Sequence, residues 1–188
     1  MFLNQLKKEQ ENESLFSEYG EAARKKAIAL DFPTRKTEAF SYLNLKALDA
    51  QSLSFTSSGY KISSSSDEVE ILTLSKAEEK YGLLIGNRLN KIQSKGKTFF
   101  SLVNQGWTGE TYCIFLNAST DKVIEIEEEF LGDGKMACPQ LQFFIGRDVK
   151  ATFHHKIKVN GSENFINRSA YISLEKGADI TTYETPDL

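Results

Sequence analysis

The sequence predicts a mixed α and β protein: a helical and α+β region over residues 1–135, then short strands between glycine-containing turns over 136–188. Three observations carry this reading. Apolar residues recur at three- and four-residue spacings from Leu15 to Leu30, which is the helical period. Pro33 then fixes its own φ and biases Phe32 away from helix, forcing a break. Past Pro139 the helical period is gone, and short runs rich in Phe, Ile, Val, Thr and Tyr alternate with turns.

The elements follow in order. Residues 2–30 read as helix, interrupted near Asn12, with Leu15, Phe16, Tyr19, Ala22, Ala23, Ala27 and Leu30 as the stripe to be covered. Thr34 is placed to cap a new turn whose apolar side is Phe40, Tyr42, Leu43 and Leu45. The serine-rich stretch from Ser52 to Ser66 reads as an exposed loop or weak hairpin. Val69 to Leu74 reads as a strand, and Ser75 with Glu78 forms a capping box opening a short helix that Gly82 ends. A further helix is expected over Thr98–Trp107, then strands at Thr111–Leu116 and Lys122–Glu127.

Four more strands are expected at Gln140–Phe144, Val149–His155, Phe165–Leu174 and Asp179–Tyr183. Two stretches among them match: Phe144-Ile-Gly146-Arg-Asp-Val149 and Glu175-Lys-Gly177-Ala-Asp-Ile180, with glycines 31 positions apart. A fixed spacing with glycine at the turn suits stacked rungs of a parallel coil, and a sandwich of hairpins gives a similar pattern.

Composition narrows the function. The chain has 188 residues, 40% hydrophobic and 26% charged, as a globular domain does. A formal net charge of −3 argues against a general nucleic-acid binder. The basic clusters Lys7-Lys8, Arg24-Lys25-Lys26 and Arg35-Lys36 read as solvated helix surface. The opening Met1-Phe2-Leu3-Asn4 has too short an apolar run for an export signal, and no stretch is long and apolar enough to span a membrane, so a cytoplasmic location is expected. Cys113 and Cys138 stand far apart, in no metal-binding spacing, and a disulfide is not expected between them.

The break after the first helical region carries a motif. Pro33-Thr34-Arg35-Lys36, then Glu38, Phe40, Tyr42 and Leu45, resembles the element Pro-Thr-Arg-Lys-x-Glu-x-(Trp or Phe)-x-Tyr-x-x-Leu of the SufB/SufD family of iron–sulfur cluster assembly proteins. Phe40 stands where the family usually has Trp. Phe100, Asn104 and the strand Ile114-Phe115-Leu116 also keep the family's order, whereas the turn Asn117–Lys122 departs from its usual Pro-Lys-Gly form. The helical segment directly before the motif is closer to the SufD branch.

The resemblance implies a right-handed parallel β-helix core in a scaffold subunit that works with SufB and the ATPase SufC. It also implies that this chain matches only the first half of a family member. The SufC contact, the SufB–SufD interface and the Cys and His positions used in assembly belong to the later half. No catalytic, cofactor-binding or metal-binding residue is therefore carried over, and the chain is not expected to be an enzyme or to hold a cofactor itself. Arg35, Lys36 and Glu38 are expected to fix the corner structurally. The open end of the coil near Ile172–Tyr183 is expected to be covered, by self-association or by the N-terminal helices.

The residues themselves offer few chemical sites. His154 and His155 are adjacent, so on a strand they face opposite sides and do not share a metal. Glu125, Glu127, Glu128 and Glu129 read as a solvated strand edge. Asn104 reads as a helix-terminating residue and Trp107 as a packing anchor. Gly82-Leu-Leu-Ile-Gly86 lacks the Gly-Lys-Ser/Thr ending of a phosphate loop. A carbohydrate-binding or carbohydrate-active β-helix, or a plain interaction module, is the alternative; the former is usually exported and disulfide-bonded.

Overall fold

The computed structural model describes residues 2–9, 20–34, 36, 44–56, 60–93 and 98–187. Helices run over Phe2–Glu9 (α1), Glu21–Ala29 (α2), Leu45–Ala50 (α3), Leu74–Gln93 (α4) and Phe99–Gly106 (α5). Early strands are Ser54–Phe55 (β1), Tyr60–Ser64 (β2), Val69–Thr73 (β3), Thr111–Leu116 (β4), Val123–Leu131 (β5) and Lys135–Ala137 (β6). The later ones are Gln140–Ile145 (β7), Lys150–Asn160 (β8), Phe165–Ile166 (β9), Ser169–Leu174 (β10) and Asp179–Asp187 (β11). Of the motif at the break, Arg35, Glu38, Phe40 and Tyr42 lie outside the described residues.

The strands form three mostly parallel sheets, ordered β10-β7-β4-β3, β11-β8-β5-β2 and β1-β6-β9. Only β3 on β4 and β2 on β5 pair antiparallel; every pair of strands beyond Pro139 is parallel. One offset governs the three parallel stacks. Thr111 faces Gln140 and Gln140 faces Ser169; Val123 faces Thr152 and Thr152 faces Thr181; Met136 faces Phe165. Each step is 29 residues.

The expected 31-residue repeat is therefore a misalignment. Gly146 and Gly177 do not share a slot: the register places Asp148 against Gly177, one turn of 29 residues earlier. Asp148 has φ 57° and Gly177 φ 75°, so the left-handed position is filled by Asp in one turn and Gly in the next. The other corners repeat likewise. Gly132 and Gly161 have φ 146° and 110°, and Gly134 and Glu163 have 60° and 55°. A Cβ at Gly161 would lie 1.9 Å from the Gly132 carbonyl oxygen, so stacking itself excludes a side chain there.

Three apolar clusters organise the molecule. Alternate residues of the sheets, among them Ile114, Ile126, Leu141, Phe143 and Phe153, fill the space enclosed by the strands. A second cluster joins α1, α2 and α5 to the short strands through Phe2, Ala27, Val103, Trp107 and Met136. Its aromatic part links Phe2 to Phe32 and to Phe165, at 5.6 Å each between ring centroids. The third lies under α4, where Ala77, Ile85 and Leu89 cover Cys113, Phe115 and Phe144.

Several elements differ from expectation. The described residues of Ser52–Ser66 do not pair with each other: β1 pairs with β6 and β2 with β5, because Leu53 and Tyr60 are buried and pull the segment into two sheets. The run α4 breaks at Tyr81 (φ −128°, ψ 20°), beside Gly82, the expected stop of the short helix, and a second helical segment then continues to Gln93. Burial of Ile85 and Leu89 outweighs the roughly 1 kcal/mol that a helical glycine costs. With the helix starting at Leu74, Ser75 lies inside it and does not cap it; the capping box is at Thr98 and Ser101 on α5. Arg24 is no surface cation: it is buried, and Nη1 donates to the Gly106 carbonyl at 2.7 Å, closing the C-terminus of α5. The stretch Phe165–Leu174 divides at Asn167 and Arg168 into β9 and β10. Finally, β10 and β11 are edge strands, with Ile172, Leu174 and Tyr183 exposed, so the described helices do not cover that end.

Candidate functional site

Strand β5 alternates strictly. Ile124, Ile126, Glu128 and Phe130 point inward and are buried, while Glu125, Glu127 and Glu129 point outward. β5 lies between β2 and β8, so the expected edge strand is an inner one, and the expected outward acidic face holds for Glu125, Glu127 and Glu129 but not for Glu128. The outward three are matched across the sheet. Glu125 accepts from Lys156 Nζ at 2.6 Å, and Glu129 accepts from Asn160 Nδ2 at 2.9 Å. Glu127 lies 4.0 Å from Lys158 Nζ.

Glu128 is different. Glu128 is 1% exposed, and its carboxylate is held from three places in the fold. Tyr60 Oη, from β2, donates to Oε2 at 2.6 Å. Arg168, at the corner between β9 and β10, makes a two-pronged contact: Nε to Oε2 at 2.5 Å and Nη2 to Oε1 at 2.8 Å. His155 Nδ1, from β8, lies 3.0 Å from Oε1 and also 3.1 Å from Arg168 Nη2. When Nδ1 carries the proton it donates to Glu128; when it does not, it accepts from Arg168. The remaining arm of Arg168, Nη1, donates to Glu184 of β11 at 2.8 Å.

Burial by itself would raise the Glu128 pKa. Hydrogen bonds from His155 and Arg168, the Arg168 charge and the Tyr60 hydroxyl outweigh it and hold the carboxyl below its ordinary range. Burial first, then the Glu128 charge, pushes the Tyr60 phenol upward. Burial works against the Arg168 cation, but the hydrogen bonds and charge of Glu128 overcome it and raise the guanidinium. At neutral pH the cluster thus contains a fixed carboxylate–guanidinium pair with a neutral phenol.

What this arrangement can do is hold, not react. Both Glu128 oxygens and all three Arg168 nitrogens are engaged. A cleft of about 500 Å³ lies beside Arg168, between α3, Phe100 and the corner Phe165–Arg168, and its walls are mainly apolar.

The other candidates fall into structural positions. His154 and His155 face opposite sides, as adjacent strand residues must: His154 stacks on Tyr183 at 4.5 Å and its Nε2 is 2.9 Å from Thr185 Oγ1. Asn104 does not terminate α5. It is fully buried, and its Nδ2 donates to the carbonyls of Pro139 at 3.1 Å and Asn167 at 2.5 Å, bracketing α5 to two successive turns. Trp107 is a packing anchor, buried and stacked on Phe55. Cys113 and Cys138 are free and buried, and burial raises both thiols, Cys113 to about 12.

Among the described residues no group of three or more His, Cys, Asp or Glu is placed to hold a metal ion, and no helix is long and apolar enough to cross a membrane. Comparison of the sequence with models of known protein families, and with curated proteins, finds no match.

Proposed function

We propose that this chain is the N-terminal part of a scaffold subunit in an iron–sulfur cluster assembly complex of the SufBCD type, acting in the cytoplasm without catalysing a reaction itself. In this reading the stacked sheets are the first turns of a right-handed parallel β-helix, and the helices before it are a packed side domain. The carrying observation is the single 29-residue offset shared by all three parallel stacks, in a chain that also carries the break Pro33-Thr34-Arg35-Lys36 after its first helical region. A stack of this kind offers a rigid, extendable surface and needs no reactive group of its own. The engaged Glu128 cluster and the raised cysteines fit a subunit that supports chemistry performed elsewhere in a complex.

The test is co-expression of the gene that contains this sequence with SufB- and SufC-type subunits. A stable complex on gel filtration, carrying the visible absorbance of an iron–sulfur cluster after reconstitution, is expected. Separate elution of this subunit from both partners would contradict the proposal.

A further inference from the structure

We infer that Arg168 is a latch that fastens the third turn of the stack, β10 and β11, to the first, and that neutralising Glu128 frees that turn as one unit. The connection skips a layer. Glu128 belongs to the first turn on β5, His155 to the second on β8, and Glu184 to the third on β11. Arg168 reaches past the second turn to put two donors on Glu128, and spends its last donor on Glu184 of its own turn. Tyr60 extends the same link to β2, so one charge cluster spans all four strands of the sheet.

The third turn depends on this link because little else of it is buried. Along β11 every side chain but Ile180 is exposed, and along β10 half-buried and exposed positions alternate. Its apolar contribution to the enclosed core comes from Ala178 and Ile180, both only partly buried. Strand pairing to β7 and β8 and the Asn167 brackets to Phe100 and Asn104 hold the rest.

Protonation acts at a defined place. The titratable groups facing Glu128 are Tyr60 from β2, His155 from β8, Arg168 from the corner and, through Arg168, Glu184 from β11. A neutral Glu128 leaves the guanidinium buried against a carboxyl group that no longer balances it, and among the described residues the exposed Glu184 is then its remaining ion-pair partner.

Amide hydrogen exchange followed by mass spectrometry tests this on the 188-residue chain. In Glu128→Gln, amides of β10 and β11 should exchange roughly a hundredfold faster, the scale of a broken buried ion pair, while β4, β5, β7 and β8 keep their protection. Arg168→Lys, which retains charge but not the two-pronged contact, should give the same pattern in weaker form. Glu184→Gln should change little. If Glu128→Gln does not fold, the wild-type chain at falling pH replaces it: β10 and β11 should lose protection together before the inner strands do. Equal loss of protection in all strands, or unchanged exchange in β10 and β11, overturns the latch.

Discussion

Glu127 and Glu128 are neighbours in the chain and live in different media. The outer face of the sheet β2-β5-β8-β11 is a ladder of glutamates opposite lysines in water. The inner face is an apolar row interrupted by one carboxylate, one imidazole and one guanidinium. On the outer face a lost charge is replaced by solvent. On the inner face it leaves its partner stranded, because the surrounding side chains offer nothing in exchange. The same residue type therefore has opposite worth on the two sides of one strand.

The sharpest way to break this contrast is Arg168→Met, which leaves Glu128 buried without its cation. A loss of about 3–5 kcal/mol in chemical denaturation is expected, and an unchanged midpoint would mean that the carboxylate is solvated after all. Next is Tyr60→Phe, which removes one donor to the same buried carboxylate and should cost about 1.5–3 kcal/mol, the range for a hydrogen bond to a charged group. Acid should act more strongly on the inner face, because the outer Glu125 carboxyl, although also lowered by its hydrogen bond from Lys156, is screened by solvent. The Glu128 pKa is lowered on folding, so its contribution is complete above the unfolded value of 4.5 and disappears as pH falls through the lower folded value. A melting profile should therefore steepen below that value, and Glu128→Gln should remove the extra slope. The smallest effect belongs to the outer face: Glu127→Gln should leave the melting temperature within the error of the measurement.

The corners give a second contrast, between positions that look alike in sequence and positions that are alike in space. Gly161→Ala places a Cβ against the Gly132 carbonyl at φ 110°, and should cost about 1–3 kcal/mol by thermal melting. Gly82→Ala meets open space on α4 and should be neutral or slightly stabilising, although both are exposed glycines.

These contrasts show what was readable in advance. The strand Thr111–Leu116 and the helix ending at Gly106 follow from local pattern, and the structure places them where the pattern does. The inward position of Glu128 also had a signal. It is in phase with Ile124, Ile126 and Phe130, and the period of two outweighs the hydrophilic look of the run Glu127-Glu128-Glu129. Arg168 had none: it sits 40 positions from Glu128, at a corner inside what reads as one continuous strand. The turn length was missed for a related reason. Matching glycine to glycine ignores that aspartate also takes left-handed backbone, and only the register shows Asp148 to be the partner of Gly177. Long-range partners are set by how the chain stacks, and local composition does not encode them.

The chain advances one layer every 29 residues in three sheets at once. Backbone NMR contacts measure this directly. Cross-strand contacts are predicted between Ile114 and Phe143, Ile126 and His155, and Met136 and Phe165, all in parallel alignment. Antiparallel contacts beyond Pro139, or a different offset in any one of the three sheets, would contradict it.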